Sequence, residues 1–194
     1  NTTAAVEGGS ISAGGAVGVD AEQAAKIQAI AAGASVSGGK LAFNGSVAIN
    51  TIDDDSIASI SGANVASVGQ INIQAHDASS IEALTGGLAL SSQGAGVGVA
   101  GSYNEIRGDV LAHVSGGALN SSADSVRLDA ERDQRIRSLS AGVGGSSDSV
   151  GIAGSVSVNR VLGSTGAVID GNSIVVANNN VLVQSLSDSR IETL

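Results

Sequence analysis

An internal repeat of about 54–55 residues constrains this chain more than any other feature. One eleven-residue segment, which starts with two alternating apolar residues and ends in Ile, occurs four times, closing at Ile27, Ile81, Ile136 and Ile191. When the repeats are aligned, other columns of equivalent residues recur at the same spacing. They are Ile30, Leu84, Leu139 and Leu194; Gly33, Gly87 and Gly142; Asn50, Asn104 and Asn159; Gly8, Gly62, Gly116 and Gly171; Ile11, Val65, Leu119 and Ile174. Such a period predicts one domain of stacked copies of one structural unit. The units are 1–26 (partial), 27–80, 81–135, 136–190 and 191–194, the start of the next.

Each unit alternates apolar and small residues with the period of a β-strand. In residues 41–49, Leu41, Phe43, Val47 and Ile49 alternate with small or polar residues, which predicts a strand with one apolar face. Residues 20–32 contain good helix formers, but the equivalent positions in other units are glycine-rich and strand-like. We therefore predict a strand there as well, and an all-β fold.

The composition limits how such a unit can be packed. The chain has 28 Gly, one Phe, one Tyr, and no Pro, Cys, Met or Trp. A core must therefore be thin and built from Val, Ile, Leu and Ala. Disulfides and thiol chemistry are excluded, and no apolar run reaches the 18 or so residues of a membrane span. Because the chain starts with Asn-Thr-Thr, we expect it to be a segment of a longer protein.

A net charge of −9 and a pI near 4.4 limit the partners of the chain. Nucleic acids and anionic membranes attract basic surfaces, so we expect no nucleic-acid partner and no membrane insertion.

A strand-rich unit of this size fits a propeller blade, a hairpin array or a solenoid. Propellers carry aromatic signatures that this sequence lacks. A parallel β-helix also accounts for the missing Pro, because Pro cannot donate to a strand ladder. We predict two coils of about 27 residues per unit, hence about seven coils and a rod of roughly 34 Å at ~4.8 Å per coil.

Several phrases carry a resemblance to a known family. They are SVAINTI (46–52), SVSVNRV (155–161), the starts IQAIAAG, IEALTGG and IRSLSAG, and the turns GANVAS and GNSIVV. They resemble the repeats of filamentous-haemagglutinin-like and leukotoxin-like adhesins, giant bacterial surface proteins exported by two-partner or autotransporter routes. The resemblance covers essentially the whole chain through degenerate motifs.

The resemblance implies a right-handed β-helical shaft on the outside of a Gram-negative cell. The shaft would act as a spacer in cell adhesion or biofilm formation. Its partners would be flanking repeats of the same polypeptide, an outer-membrane secretion partner, and receptors on host or neighbouring cells. A self-assembling extracellular filament or matrix protein is the alternative, and the sequence barely separates the two.

Two short motifs are candidate binding sites. Arg107-Gly108-Asp109 spells RGD, which integrins recognise on exposed loops, and the repeat places it in the turn after Asn104. Asp53, Asp54 and Asp55 occupy the equivalent turn of the preceding unit and offer oxygen ligands to Ca²⁺. A solvated acidic turn is the plainer interpretation of the triplet, since it occurs in only one unit. No cofactor is expected.

The most charged segment lies at residues 126–136. Some β-helices are polysaccharide lyases or glycosidases, which gather carboxylates and basic residues on one face. The only cluster of that kind here is Asp129, Glu131, Arg132, Asp133, Arg135 and Arg137. The equivalent positions in other units hold Gln, Ala, His and Ser, which favours a variable solvated surface. We therefore expect no enzymatic activity.

Overall fold

The computed structural model describes all residues, 1–194, as fourteen β-strands without a helix. The strands are β1 Thr2–Glu7, β2 Ser10–Ala13, β3 Val17–Gln23, β4 Lys26–Ser37, β5 Leu41–Asp53, β6 Ser56–Ser67, β7 Ile71–Ser91, β8 Ala95–Arg107, β9 Val110–Ser121, β10 Val126–Ser146, β11 Gly151–Leu162, β12 Thr165–Asp170, β13 Ile174–Ala177 and β14 Val181–Thr193. The prediction of an all-β chain is confirmed, including strands in place of a helix over residues 20–32.

The strands form three parallel sheets, which the chain visits in a fixed order. Sheet A contains β1, β2, β6, β9, β12 and β13; sheet B contains β3, β4, β7, β10 and β14; sheet C contains β5, β8 and β11. The chain passes from A to B to C and returns to A one strand further along. We call each passage a coil: coil 1 is β1–β5, coil 2 is β6–β8, coil 3 is β9–β11, and β12–β14 begin coil 4. This path is consistent with a β-solenoid.

Each full period of the sequence makes one coil. Thr2 pairs with Ser56, Ser56 with Val110, and Val110 with Thr165, so successive partners lie one sequence period apart. The prediction of two coils per unit is wrong, because each strand would then pair with one half a period away. The coil is large because its sheet B strand is long: β7 and β10 each have 21 residues. The strands of sheets A and C are shorter, and each sheet packs against one half of sheet B. Four stacked strands in sheet B span only ~14 Å, not the roughly 34 Å predicted.

The repeat alignment slips by one residue near the end of sheet A. Leu119 pairs with Val175, not with Ile174 as the sequence alignment predicted. A turn through Gly171 and Asn172, both with positive φ, adds the extra residue. A one-residue slip moves a side chain to the opposite face of a strand. Ile174 is accordingly exposed, whereas Val175 packs against the core.

In every coil, the chain bends within sheet A at a glycine that occupies the same position in the repeat. Gly8, Gly62, Gly116 and Gly171 have φ of 65°, 62°, 69° and 62°. This left-handed conformation strains other residues, which explains why Gly recurs in this column.

Sheet A and the first half of sheet B enclose the main hydrophobic core. Its largest side chains belong to the central coils and include Ile60, Ile71, Ile73, Leu119 and Leu128, all at most 1% exposed. Burying each such side chain stabilises the fold by about 1.5–3 kcal/mol. A smaller cluster around Ile81, Ile106 and Ile136 follows where sheet C begins to cover sheet B.

Sheet C and the second half of sheet B pack with their small residues inward. A Cβ at Gly98 would lie 2.1 Å from the carbonyl oxygen of Val143, and one at Gly144 would lie 1.9 Å from that of Ile152. The backbones of the two sheets therefore nearly touch. The large side chains of this region point outward, and Phe43 is 63% exposed. The core of Val, Ile, Leu and Ala expected from the sequence is thus present in only part of the coil.

Candidate functional site

The corner between sheets C and A brings the candidate binding motifs together in one stacked column of turns. The Asn1 side-chain oxygen accepts a hydrogen bond from the backbone N–H of Asp55 (3.0 Å). Asp55 accepts one from the N–H of Asp109 (2.9 Å), and Asp109 accepts one from the N–H of Ser164 (2.7 Å). We call this column the corner ladder. Each residue in it ties one coil to the next.

The RGD sequence lies in this corner, and both of its charged side chains contact other residues of the chain. Asp109 also accepts a hydrogen bond from the Ser164 hydroxyl (2.8 Å). The backbone N–H and the hydroxyl of Ser164 together lower the pKa of the Asp109 carboxyl. Arg107 pairs with Glu105 and, at 3.8 Å, with Asp53. Gly108 packs against the Asp54 carbonyl so closely that a Cβ would lie 1.6 Å from its oxygen.

The three carboxylates of Asp53, Asp54 and Asp55 turn toward different partners. Asp53 faces Arg107, Asp54 accepts hydrogen bonds from the N-terminus (3.4 Å) and Gln23 (3.3 Å), and Asp55 belongs to the corner ladder. No three His, Cys, Asp or Glu side chains in the chain converge on a point that could hold a metal ion. The three carboxylates of the triplet therefore do not converge on one point.

A buried carboxylate next to the corner was not anticipated from the sequence. The Glu105 side chain is only 1% exposed and is covered by Tyr103, Arg107 and Arg160, whose guanidinium lies 3.4 Å away. Hydrogen bonds from the Tyr103 hydroxyl and Arg107 lower the pKa of Glu105. Thr51 and Arg160 occupy its place in neighbouring coils, so the repeat gives no signal for a buried acid.

The charged segment 126–136 and the adjoining Arg137 lie in β10, and their side chains divide between the two faces of sheet B. Arg132 points inward and donates to the carbonyl oxygens of Gly108 (3.4 Å) and Leu162 (3.5 Å). Gln134 is also buried and donates to Asp77 (2.7 Å) in the neighbouring coil. The inward groups thus support the corner turns and the interior of the coil. They do not share a face with the carboxylates of Glu131 and Asp133.

The outward charges of sheet B form ion pairs both between coils and within single strands. Arg135 (3.0 Å), Arg137 (2.8 Å) and Arg190 (2.7 Å) surround Glu192, and their charges and hydrogen bonds, Arg137 first, lower its pKa. Lys26 lies 3.7 Å from Glu82. Exposed pairs of this kind each contribute about 0–1 kcal/mol. At Glu192, three guanidinium groups thus share one carboxylate.

The interior of the coil holds a ladder of amides where sheet C follows the small core. Asn50 donates to Asn104 and Asn104 donates to Asn159, both at 2.8 Å. Beside it, the hydroxyls of Thr85, Ser102, Ser138, Ser140 and Ser157 bond one another at 2.5–3.2 Å. Stacked amides that bond along the axis are typical of tightly stacked β-structures. The sequence shows the Asn column but not the hydroxyl cluster, whose members come from different columns.

The geometry defines the class of the protein as an all-β chain of parallel sheets with polar contacts directed between successive coils. Comparison with family models, curated proteins and solved structures found no match. The structure contains no helix long and apolar enough to cross a membrane.

Proposed function

We propose that this chain is a shaft segment of a large exported bacterial surface adhesin, in which a right-handed β-solenoid acts as a stiff spacer. The observation that carries this proposal is the in-register parallel pairing of all three sheets, one period per coil. The handedness and the family come from the sequence resemblance.

The physical basis of the spacer is the stacking of equivalent residues. Backbone ladders, the Asn50–Asn104–Asn159 column and the corner ladder all run along the stacking axis. Every coil thus holds its neighbour by the same contacts, so length increases with coil number while stability stays nearly additive. No catalysis is part of this role.

The proposed location is the bacterial cell surface. A shaft without Cys needs no oxidising machinery for folding, and free strand edges of the outer coils can pair with flanking repeats. An outer-membrane secretion partner would export the chain. Binding to receptors on host or neighbouring cells would belong to the adhesin that the shaft supports.

Duplicating the repeat tests the proposal. We would insert one, two and three extra copies of residues 81–135 after Arg135 and measure each protein by small-angle X-ray scattering. The coil cross-section should stay constant, and the dimension along the stacking axis should grow by ~4.8 Å per copy.

The matched control inserts a copy of residues 81–107 after Arg107. This half period repeats only the second half of β7 and all of β8, without sheet A, so the variant should lose its β-sheet circular dichroism signal. An ordered half-period variant, or a monomer cross-section (scattering extrapolated to zero concentration) that grows with each copy, would contradict a solenoid with one coil per period.

A self-assembling filament remains the second candidate because large apolar side chains are exposed on the outer face of sheet C. Val47 and Ile49 are 72% and 73% exposed. Surfaces of this kind mark interaction sites in soluble proteins.

A further inference from the structure

The outer face of sheet C is an exposed apolar surface without a partner in the structure. We call the outward-pointing residues of β5, β8 and β11 the pairing face. Its central part carries no charge; charged side chains begin at Asp53, Glu105 and Arg160, toward the corner. Val47 and Val156 are 72% and 66% exposed.

Two adjacent columns at the centre of the pairing face alternate between Gly and Val in opposite phase. From coil 1 to coil 3, the first column holds Gly45, Val99 and Gly154, and the second holds Val47, Gly101 and Val156. The surface is therefore a checkerboard of protruding side chains and hollows. The hollow at Gly154 is open, because a Cβ there would meet no atom within 4 Å.

We propose that the pairing face binds a second copy of itself, with the two solenoids side by side. A two-fold axis parallel to the stacking direction, passing between the two columns, places each column opposite the other in the same coil. Val47 then faces Gly45 of the second copy, Val99 faces Gly101, and Val156 faces Gly154. Every protruding Val meets a glycine, as a self-complementary two-fold interface requires. The hollow at Gly45 is narrower than that at Gly154, because Val99 Cγ2 would lie 3.1 Å from a Cβ added there.

The size of the face sets the strength of this pairing. At ~3.4 Å per residue and ~4.8 Å per strand, the region from residue 41 to 49 across three coils measures about 27 Å by 14 Å. The footprint is about 400 Å² per partner, half of the ~800 Å² typical of stable complexes. Three coils should thus pair weakly, and each added coil should strengthen the pair.

The outer face of sheet B is a second exposed apolar surface of the same coils. Its column of Ile30, Leu84, Leu139 and Leu194 is uniformly large and borders charged Glu82, Arg137 and Glu192. Beside this column, Ala32, Gly86 and Ala141 form a column of small residues on the same face. A substitution on this face therefore shows which of the two surfaces forms the pair.

Sedimentation equilibrium on the full chain and three variants tests the pairing. Gly154→Val fills the hollow and should weaken dimerisation by at least about tenfold. Gly154→Val combined with Val156→Gly exchanges the protrusion and the hollow, and should restore dimerisation to within about threefold. Gly86→Val adds the same side chain to the outer face of sheet B, where a Cβ meets only the Ala141 carbonyl at 3.9 Å, and should leave dimerisation unchanged.

The expected results differ from those of nonspecific stickiness, for which any added Val would strengthen association. Stronger or unchanged dimerisation of Gly154→Val, failure of the exchanged variant to recover, or a chain that stays monomeric at millimolar concentration would overturn the pairing. Circular dichroism checks that each variant is folded. The pairing goes beyond the spacer role, because scattering of the duplicated chains would measure coil stacking even if every chain were monomeric.

Discussion

At the scale of single residues, the polar side chains of this protein mainly bond to the neighbouring coil. Asn104 is fully buried and joins Asn50 on one side to Asn159 on the other. An amide can do this because it carries both a donor and an acceptor, so a column of identical amides satisfies itself. The repeat of Asn at this position therefore has a physical reason, namely that each coil completes the hydrogen bonds of the last.

The corner ladder predicts a pH-dependent contribution from Asp109. Asp109→Ala removes the acceptor for two hydrogen bonds from Ser164 and should lower the free energy of unfolding by about 1 kcal/mol at pH 7. Asp109→Asn keeps an acceptor oxygen, as Asn1 does in the same ladder, and should be nearly as stable as the native chain. Urea unfolding followed by circular dichroism measures both.

The sign of the pH effect follows from the lowered pKa of Asp109. A carboxyl with a folded pKa below its ordinary value of 3.8 stabilises the fold above that pH. Its contribution disappears as the pH falls from 3.8 through the lowered folded value. The stability difference between the native chain and Asp109→Asn should thus be constant above about pH 5 and shift in favour of the variant below pH 3.8. A pH-independent difference would show that the carboxylate is not held by Ser164.

At the scale of elements, the two halves of the coil are packed by different rules. Sheet A and the first half of sheet B enclose aliphatic side chains, whereas sheet C lies against sheet B through Gly, Ala, Ser and Asn. Stacked sheets usually stand about 10 Å apart because side chains separate them. Here glycines such as Gly98 and Gly144 remove those side chains and let the backbones approach.

This close approach predicts opposite outcomes for two glycines of sheet C. Gly98→Ala places a Cβ 2.1 Å from the Val143 carbonyl oxygen and 2.7 Å from that of Gly87. Because both oxygens belong to the backbone and cannot move aside easily, the substitution should destabilise the protein by about 2–3 kcal/mol. Gly154→Ala meets nothing within 4 Å and should be neutral or stabilising by up to about 1 kcal/mol. Thermal unfolding of both variants measures the difference. Equal effects would mean that the sheets are further apart than described.

The sequence predicts the strands well but not which face is inside. Period-two alternation in residues 41–49 identifies a strand and its apolar face, and the structure places that face outward. The pattern cannot show which face points to the interior, because the alternation is the same whether large or small residues fill the interior. The glycines of the opposing strand, Gly87 and Gly142, are the signal for a thin interior, but their role depends on contacts with β8 and β11.

At the scale of the whole molecule, the length of the sequence repeat does not by itself determine the number of residues in one coil. A repeat of this length is compatible with one large coil or two small ones, and only strand pairing decides between them. The sequence does contain a hint, because the apolar columns do not recur at half a period: the residue half a period after Ile81 is Gly108. The candidate sites follow the same logic. The repeat places RGD and the Asp triplet in one corner, but the ladder that engages Asp109 depends on stacking.

Stacking of coils also predicts how protection from hydrogen exchange is distributed along the chain. Strands β6–β10 have neighbours on both sides, whereas β1–β5 and β11–β14 lie at the two ends of the sheets. A parallel edge strand leaves about half of its N–H groups without a ladder partner. The fully buried side chains, from Ala58 to Ile136, also belong to the central strands. Amides of residues 57–136 should therefore exchange slowest in hydrogen-exchange mass spectrometry, and those of β5 and β11 at least about tenfold faster. In the variant with one extra copy of residues 81–135, the slow region should lengthen by one period while the ends stay fast. Uniform protection from end to end would show that the end coils are held by something other than stacking on their neighbours.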